Sequence, residues 1–274
     1  MGALLALASA ACYGVVDFAG GLLSRRVHFA AVTFLGQLGG LALALGAALL
    51  VTADAVRPAD LLWGALSGAG SGIAMHFLNR GLSRGAMSVV VPVSAVTGVA
   101  LSVLCGVLVL GDRPHAVAWL GILVTMPSLW LVSGGGTGPR PAVADGLLAS
   151  AGVAVQYLGL GQAGPGSGLW PVAAGRVAAV LLLLPGAVRH TRRLRLPPRR
   201  CAEALVIGAG AALGLILYLL AAQRQMLSVA VVLASLYPAL PVILGLALLH
   251  ERVTRRQAAG LIGAAAATVL LTLG

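Results

Sequence analysis

The sequence predicts an all-α integral membrane protein of ten transmembrane helices, arranged as two inverted five-helix repeats. Three observations predict it. The hydrophobic class makes up 59% of the chain, with 38 Gly besides, while charged residues are only 9%, too few to coat a soluble globule. Apolar runs long enough to cross ~30 Å of hydrocarbon, about 20 residues each, recur along the whole chain. The second half also repeats the spacing of the first. Ten spans use most of the 274 residues, which leaves no room for an extramembrane catalytic or nucleic-acid-binding domain.

The expected spans are 2–23, 30–52, 60–80, 87–110, 115–133, 143–163, 167–187, 202–222, 227–249 and 256–273. Within the first, the stretch from Met1 to Cys12 ends in Ser9-Ala10-Ala11-Cys12, superficially a lipoprotein cleavage site. No Arg or Lys precedes the apolar run and Ser9 stands where a large aliphatic residue belongs, so it is read as a retained helix. The spans are separated by Arg25-Arg26, Asp54 with Pro58, Arg80 to Arg84, Asp112 to Pro114, the GGGTGPRP stretch 134–141, Gly164-Pro165-Gly166, the basic loop 189–200, Arg224, and Glu251 to Arg256. These are turn residues and charges, as helix ends at a membrane surface require. Cys12, Cys105 and Cys201 have no CxxC spacing and lie in or beside apolar runs, so they read as small packing residues.

Formal charge is +11, and all 18 basic residues are Arg, six of them between Arg189 and Arg200. In a membrane protein such clusters orient helices and meet anionic lipid, so the basic excess is assigned to the membrane and not to nucleic acid.

Internal repetition is legible at two close offsets. At 140, Gly68-Ala69-Gly70 meets Gly208-Ala209-Gly210, Arg84 meets Arg224, and Ser88-Val89 meets Ser228-Val229. At 139, Gly106 meets Gly245, Asp112-Arg113 meets Glu251-Arg252, and Gly121 meets Gly260. The first pair of helices matches loosely, with Tyr13 opposite Tyr157 at 144. The expected division is a first repeat over 1–133, a linker over 134–141 and a second repeat over 142–274. An odd number of spans per copy makes the second copy enter from the opposite side. Two inverted halves around a midplane site can rock between two openings, which is the physical basis of alternating access.

Two five-helix copies, each with a glycine-rich third helix, a Ser- and Pro-bearing fourth and an acidic-Arg turn into the fifth, resemble the drug/metabolite transporter superfamily with paired EamA domains. The marks are Leu110-Gly111-Asp112-Arg113, Leu236-Tyr237-Pro238, His250-Glu251-Arg252 and the aromatic-Gly pair Tyr13-Gly14. Asp112 stands in place of Glu and His250 in place of Gly. The resemblance implies a secondary transporter in the plasma (inner) membrane, multi-pass, exporting amino acids, metabolites or drugs from a cavity lined by both copies. Its partners would be a small-molecule substrate, membrane lipid and protons, or an exchanged substrate. No enzyme activity, cofactor or metal is expected. The alternative is a non-transporting membrane partner or a lipid-handling membrane protein.

Ionisable groups inside spans are costly and therefore candidate functional residues. Asp17, four residues from Tyr13 on one helix face, could bind a cation or carry a proton, or instead serve the Arg25-Arg26 end. Arg176 could pair with Asp17, hold a substrate carboxylate, or snorkel. His76 with Asn79 forms a polar stripe suited to proton shuttling or to ordinary packing. Gln156, Tyr157, Tyr218 and Tyr237 would supply hydrogen bonds and ring faces to a cavity, or act as interhelical glue; Gln37, Ser94 and Thr97 are weaker members of that set. Pro92, Pro238 and Pro241 are expected to kink helices four and nine.

Gly36–Gly40, Gly68–Gly72 and Gly210–Gly214 have close-packing GxxxG spacing. Thr254-Arg255-Arg256-Gln257 reads as a capping box. The run Gly159-Leu160-Gly161-Gln162-Ala163-Gly164 satisfies GxGxxG, but it follows a span and not a strand, so it reads as packing or a turn. Without Lys there is no Walker A site, HExxH does not occur, and no GxSxG turn joins a strand to a helix as a nucleophile elbow requires. With a cytoplasmic amino terminus, only Arg57, Arg113 and Arg224 would lie in cytoplasmic loops. The positive-inside rule therefore favours both termini outside, whereas the family resemblance implies both inside.

Overall fold

The computed structural model describes residues 2–110, 115–132, 140–189, 191–222 and 237–273. Among these residues the chain is helical, without strands. The helices are α1 (Gly2–Ser24), α2 (Phe29–Leu50), α3 (Pro58–Leu82), α4 (Met87–Cys105), α5 (Ala116–Val132), α6 (Arg140–Gln162), α7 (Trp170–Arg189), α8 (Pro198–Ala222), α9 (Ala239–Leu248) and α10 (Arg255–Leu273). A π-helical segment, Gly106–Leu110, prolongs α4, and a single turn, Thr191–Leu194, lies between α7 and α8. Among the described residues seven helices, α1 to α4 and α6 to α8, are long and apolar enough to cross a membrane. The described apolar parts of α5 and α9 are shorter.

The expected spans fall within a few residues of these helices, and the differences have local causes. Arg140 and Pro141 already belong to α6: a Pro in the first turn lacks only an N–H that would have no partner, so the expected linker 134–141 ends earlier, and its remainder lies outside the described residues. The expected ninth span is described only from Tyr237. There Pro238 is the N-cap of α9 and Pro241 falls in its first turn, so these two prolines open the described helix and do not bend it. Pro92 does lie inside α4, as do Pro127 in α5 and Pro185 in α7, two positions the sequence reading passed over. The capping box forms: Gln257 N–H donates to Thr254 Oγ1 at 3.2 Å and Thr254 N–H to Gln257 Oε1 at 3.0 Å.

Small residues decide which helices meet. α3 lies against α6 and α7, and α8 lies against α1 and α2. A Cβ added to Gly68 would strike the backbone of Gly175, and one added to Gly208 would strike the backbone of Gly36. Gly36 and Gly175 stand 139 positions apart, Gly68 and Gly208 stand 140 apart, so one contact is the other with the halves exchanged. The α5–α10 contact repeats this. Gly121 packs on Leu271 and Gly260 on Val132, again related at 139. Gln37 and Arg176 are also 139 apart and touch each other, at the α2–α7 crossing. The packing offset puts Tyr13 opposite Gly152 rather than Tyr157, since Tyr13 packs on Gly214 and Gly152 on Ala74.

Polar groups tie the helix ends together. Asp145 near the start of α6 is 1% exposed and accepts from Arg80 Nε at 2.8 Å and from Arg84 Nη1 at 3.3 Å, at the end of α3. Glu251, in the α9–α10 turn, accepts from Met87 N–H at 2.9 Å, Ser88 N–H at 3.0 Å and Arg25 Nη2 at 3.1 Å. It thereby caps α4, whose first amides have no helical acceptor, and neutralises Arg25. At the opposite end Asp60 accepts from Gly164 N–H at 2.9 Å and Ser167 Oγ at 2.6 Å. The GxGxxG run is thus a packing surface and a turn: Gly159 lies on the α3 backbone at Trp63 and Ser67, and Gly164 supplies the Asp60 contact.

Candidate functional site

Three helices and the turn before α9 each bring one tyrosine to the same place. Tyr13 (α1), Tyr157 (α6), Tyr218 (α8) and Tyr237 (preceding α9) line one cavity of about 270 Å³, and the chain has four tyrosines in all. The remaining wall comes from α4 and α10, with Ser102 and Thr268 as polar points. Phenol rings suit such a wall, giving an apolar face and a hydrogen-bonding tip on one stiff side chain.

The local sequence explains the convergence. Gly14 faces the start of α9, and a Cβ there would stand 2.6 Å from Leu240 Cβ and 3.0 Å from Tyr237 O. Its absence lets α9 approach α1 and sets the Tyr13 and Tyr237 rings 5.9 Å apart, tilted by 55°. Gly214 does the same for α8: a Cβ there would stand 3.1 Å from the Tyr13 ring. Ser9, one turn before Tyr13, donates to Gly214 O at 2.7 Å, which locks α1 on α8.

Asp17 lies one turn beyond Tyr13 and is 7% exposed. It is within electrostatic reach of Tyr13, Tyr157 and Tyr237 and forms no hydrogen bond or ion pair with a described residue. Arg176, 6% exposed, is also within reach of Tyr13. The Asp17–Arg176 pair, one of the roles open to Arg176, does not form. Arg176 sits at the α2–α7 crossing, where Nη1 donates to Gln37 Oε1 at 2.8 Å, and an amide satisfies that donor without cancelling its charge. A buried carboxylate and a buried guanidinium therefore flank Tyr13 without neutralising each other.

The other expected residues divide. Gln156 faces Arg176, Ser67 and Ser71 across a gap of about 10 Å³, which holds at most one water. His76 and Asn79 do not form one stripe. Asn79 turns inward, where Nδ2 donates to Thr33 Oγ1 at 3.0 Å. His76 turns toward the outer face, with Phe29 at 5.2 Å and Phe77 at 5.3 Å between ring centroids. Asp112, Arg113, Arg224 and Leu236 lie outside the described residues.

Sequence reasoning missed Ser9, Ser102 and Thr268, because a hydroxyl in a membrane helix usually bonds its own backbone, as Ser102 and Thr268 do with the carbonyls of Gly98 and Ala264. It also missed Asp145. The available signal was an acidic residue in a span, for which Arg80 and Arg84 were basic partners at the same end.

A family model of EamA-like transporters matches residues 1–134 and again 146–273. The chain belongs to the EamA-like transporter family. It is thus a multi-pass membrane protein built from two copies of that domain, in a family of transporters and not of enzymes. Fifteen chains of solved structures match it. One, described as "Crystal structure of protein", has a TM-score of 0.60 at 17% identity, covering 99% of this chain and 96% of its own. At that identity the likeness shows the fold alone. No curated protein matches.

Proposed function

We propose that this EamA-family protein is a secondary transporter of the plasma membrane that exports small metabolites, amino acids or drugs from the tyrosine cavity. Alternating access of two inverted five-helix halves, ten spans in all, moves the substrate, with proton coupling or exchange as the drive. The observation that carries the reading is the convergence of all four tyrosines, from α1, α6, α8 and the turn before α9, beside Asp17 and Arg176, neither of which is in an ion pair with a described residue. A substrate with its own charge would complete these groups, and desolvation makes such completion specific. The exchange of contacts between halves supports the inverted arrangement: a structure whose helices pack reciprocally has two equivalent tilts of one half on the other.

Proteoliposome uptake of a metabolite mixture, read by mass spectrometry with and without an imposed pH gradient, tests this reading. Gradient-dependent accumulation is expected from the native chain, and Asp17→Asn is expected to lower it at least about ten-fold while the protein stays folded, since an amide neither carries a proton nor neutralises a cation. No uptake by folded native protein overturns transport from this cavity. Unchanged accumulation in the variant removes Asp17 from the mechanism.

A further inference from the structure

A second cavity, of about 250 Å³, opens between α2, α3 and α7 on the outer face, away from the tyrosines. Its wall is apolar at Phe34, Leu182 and Leu183 and polar at His28 and His76, and it lies open to the bilayer, with Leu182 46% exposed. Its depth follows from its neighbours. His28 is the N-cap of α2 and Leu194 belongs to the turn after α7, so the crevice starts at the helix ends and runs into the apolar layer. Arg192 and Arg195 flank the lining residue Leu194 in sequence and Arg189 lies three residues past the lining residue Gly186; all three are exposed and in no salt bridge with a described acidic residue. Glu203, the nearest carboxylate in sequence, is already held by Arg199 and Arg200.

An apolar slot that ends where helices end, with arginines next in sequence to its lining residues that no described carboxylate pairs with, matches one kind of molecule, an acyl chain joined to a phosphate. Arg suits that phosphate because its planar fork donates two parallel hydrogen bonds. Basic pockets between spans are a recurrent form of anionic-lipid site.

We propose that this crevice is a binding site for one anionic diacyl phospholipid, its chain against Phe34, Leu182 and Leu183 and its phosphate among Arg189, Arg192 and Arg195. The two imidazoles line the slot at ester depth. The site is independent of what the tyrosine cavity carries.

Gly186, which also lines the cavity, allows a direct test, because a Cβ there meets nothing within 4 Å. Gly186→Leu therefore fills the slot without moving backbone. The measurement is native mass spectrometry of the full chain purified in detergent and offered equimolar phosphatidylglycerol and phosphatidylcholine. The expected result is one retained phosphatidylglycerol, preferred roughly ten-fold or more, its loss in Gly186→Leu, and loss of the preference in the double variant Arg192→Gln with Arg195→Gln. Equal retention of the two lipids by the native chain makes the slot a generic acyl crevice and overturns the proposal. Undiminished phosphatidylglycerol in folded Gly186→Leu overturns it as well. If that variant does not fold, the native preference and the double Arg variant decide.

Discussion

His250 is where a single residue departs most clearly from what its position asks. Its φ of +52° is the one left-handed backbone among described non-glycine residues, and it closes α9 immediately before Glu251. The strain of an L-residue there is about 1–2 kcal/mol, and Gly avoids it at the cost of about 0.5–1 kcal/mol of chain freedom. His250→Gly is therefore expected to stabilise the protein by about 0.5–1 kcal/mol, seen as a raised thermal midpoint in detergent. The Gly that the family resemblance places at this position has its physical reason in that angle. Glu251 beside it has a pH signature. Burial pushes its carboxyl up, but the amides of Ser88 and Met87, the Ser88 hydroxyl and the Arg25 guanidinium outweigh burial and hold it below its ordinary value. A carboxylate lowered in the folded state contributes stability that is complete above the ordinary carboxylate range and lost as pH falls through the lowered value. Titration of the thermal midpoint from neutral pH downward should show that loss, and Glu251→Gln should lower the midpoint at neutral pH while flattening the acid limb. A native-like acid limb in the variant would remove Glu251 from the account.

At the scale of elements, the helices of this protein are held by close backbone approach more than by large side chains. In lipid no hydrophobic drive joins helices, so contact area between small residues has to supply the attraction. Gly208 and Gly68 occupy the two exchanged crossings, and the atom that a Cβ would meet is backbone in both. Gly208→Ala or Gly68→Ala should each destabilise by about 1–3 kcal/mol through overpacking. Gly46→Ala is the control: a Cβ there meets nothing within 4 Å, so helix propensity alone should make it neutral or stabilising by up to about 1 kcal/mol. Equal effects at the three positions would mean that propensity and not approach governs them. Helix length, start and close packing were legible in the sequence because apolar run length, GxxxG spacing and the Thr254–Gln257 box are local signals. The early start of α6 and the opening of α9 at Pro238 were not, since a proline reads alike as a kink and as a helix start.

For the whole molecule, the distribution of arginine becomes an orientation. Arg25 and Arg84 lie with Glu251 and Asp145 at one end of the bundle, and α6, α8 and α10 begin at that end with Arg140, Arg199-Arg200 and Arg255-Arg256, while α7 finishes there at Arg189. Arg57 is the described arginine at the other end, beside the contact between Asp60 and Ser167. Positive charge stays on the cytoplasmic side during insertion, so the arginine-rich end is expected to be cytoplasmic and both termini to lie on the opposite face. A carboxy-terminal alkaline phosphatase fusion should be active and a fluorescent-protein fusion dark. A bright fluorescent fusion would reverse the orientation and favour the one that the family resemblance implies.

The sequence by itself determined the helical membrane class, the repeat of glycines and charges at 139–140, and most helix boundaries, because each depends on composition or on spacing along one chain. Only the tertiary structure decided which polar residues share a site. His76 and Asn79, three positions apart, turn to different neighbours, while four tyrosines spread from 13 to 237 meet in one cavity. Arg176 takes Gln37 and leaves Asp17 without an ion-pair partner among the described residues. Spacing within a helix sets the face a side chain occupies, but what that face meets depends on which helices the glycines allow to touch.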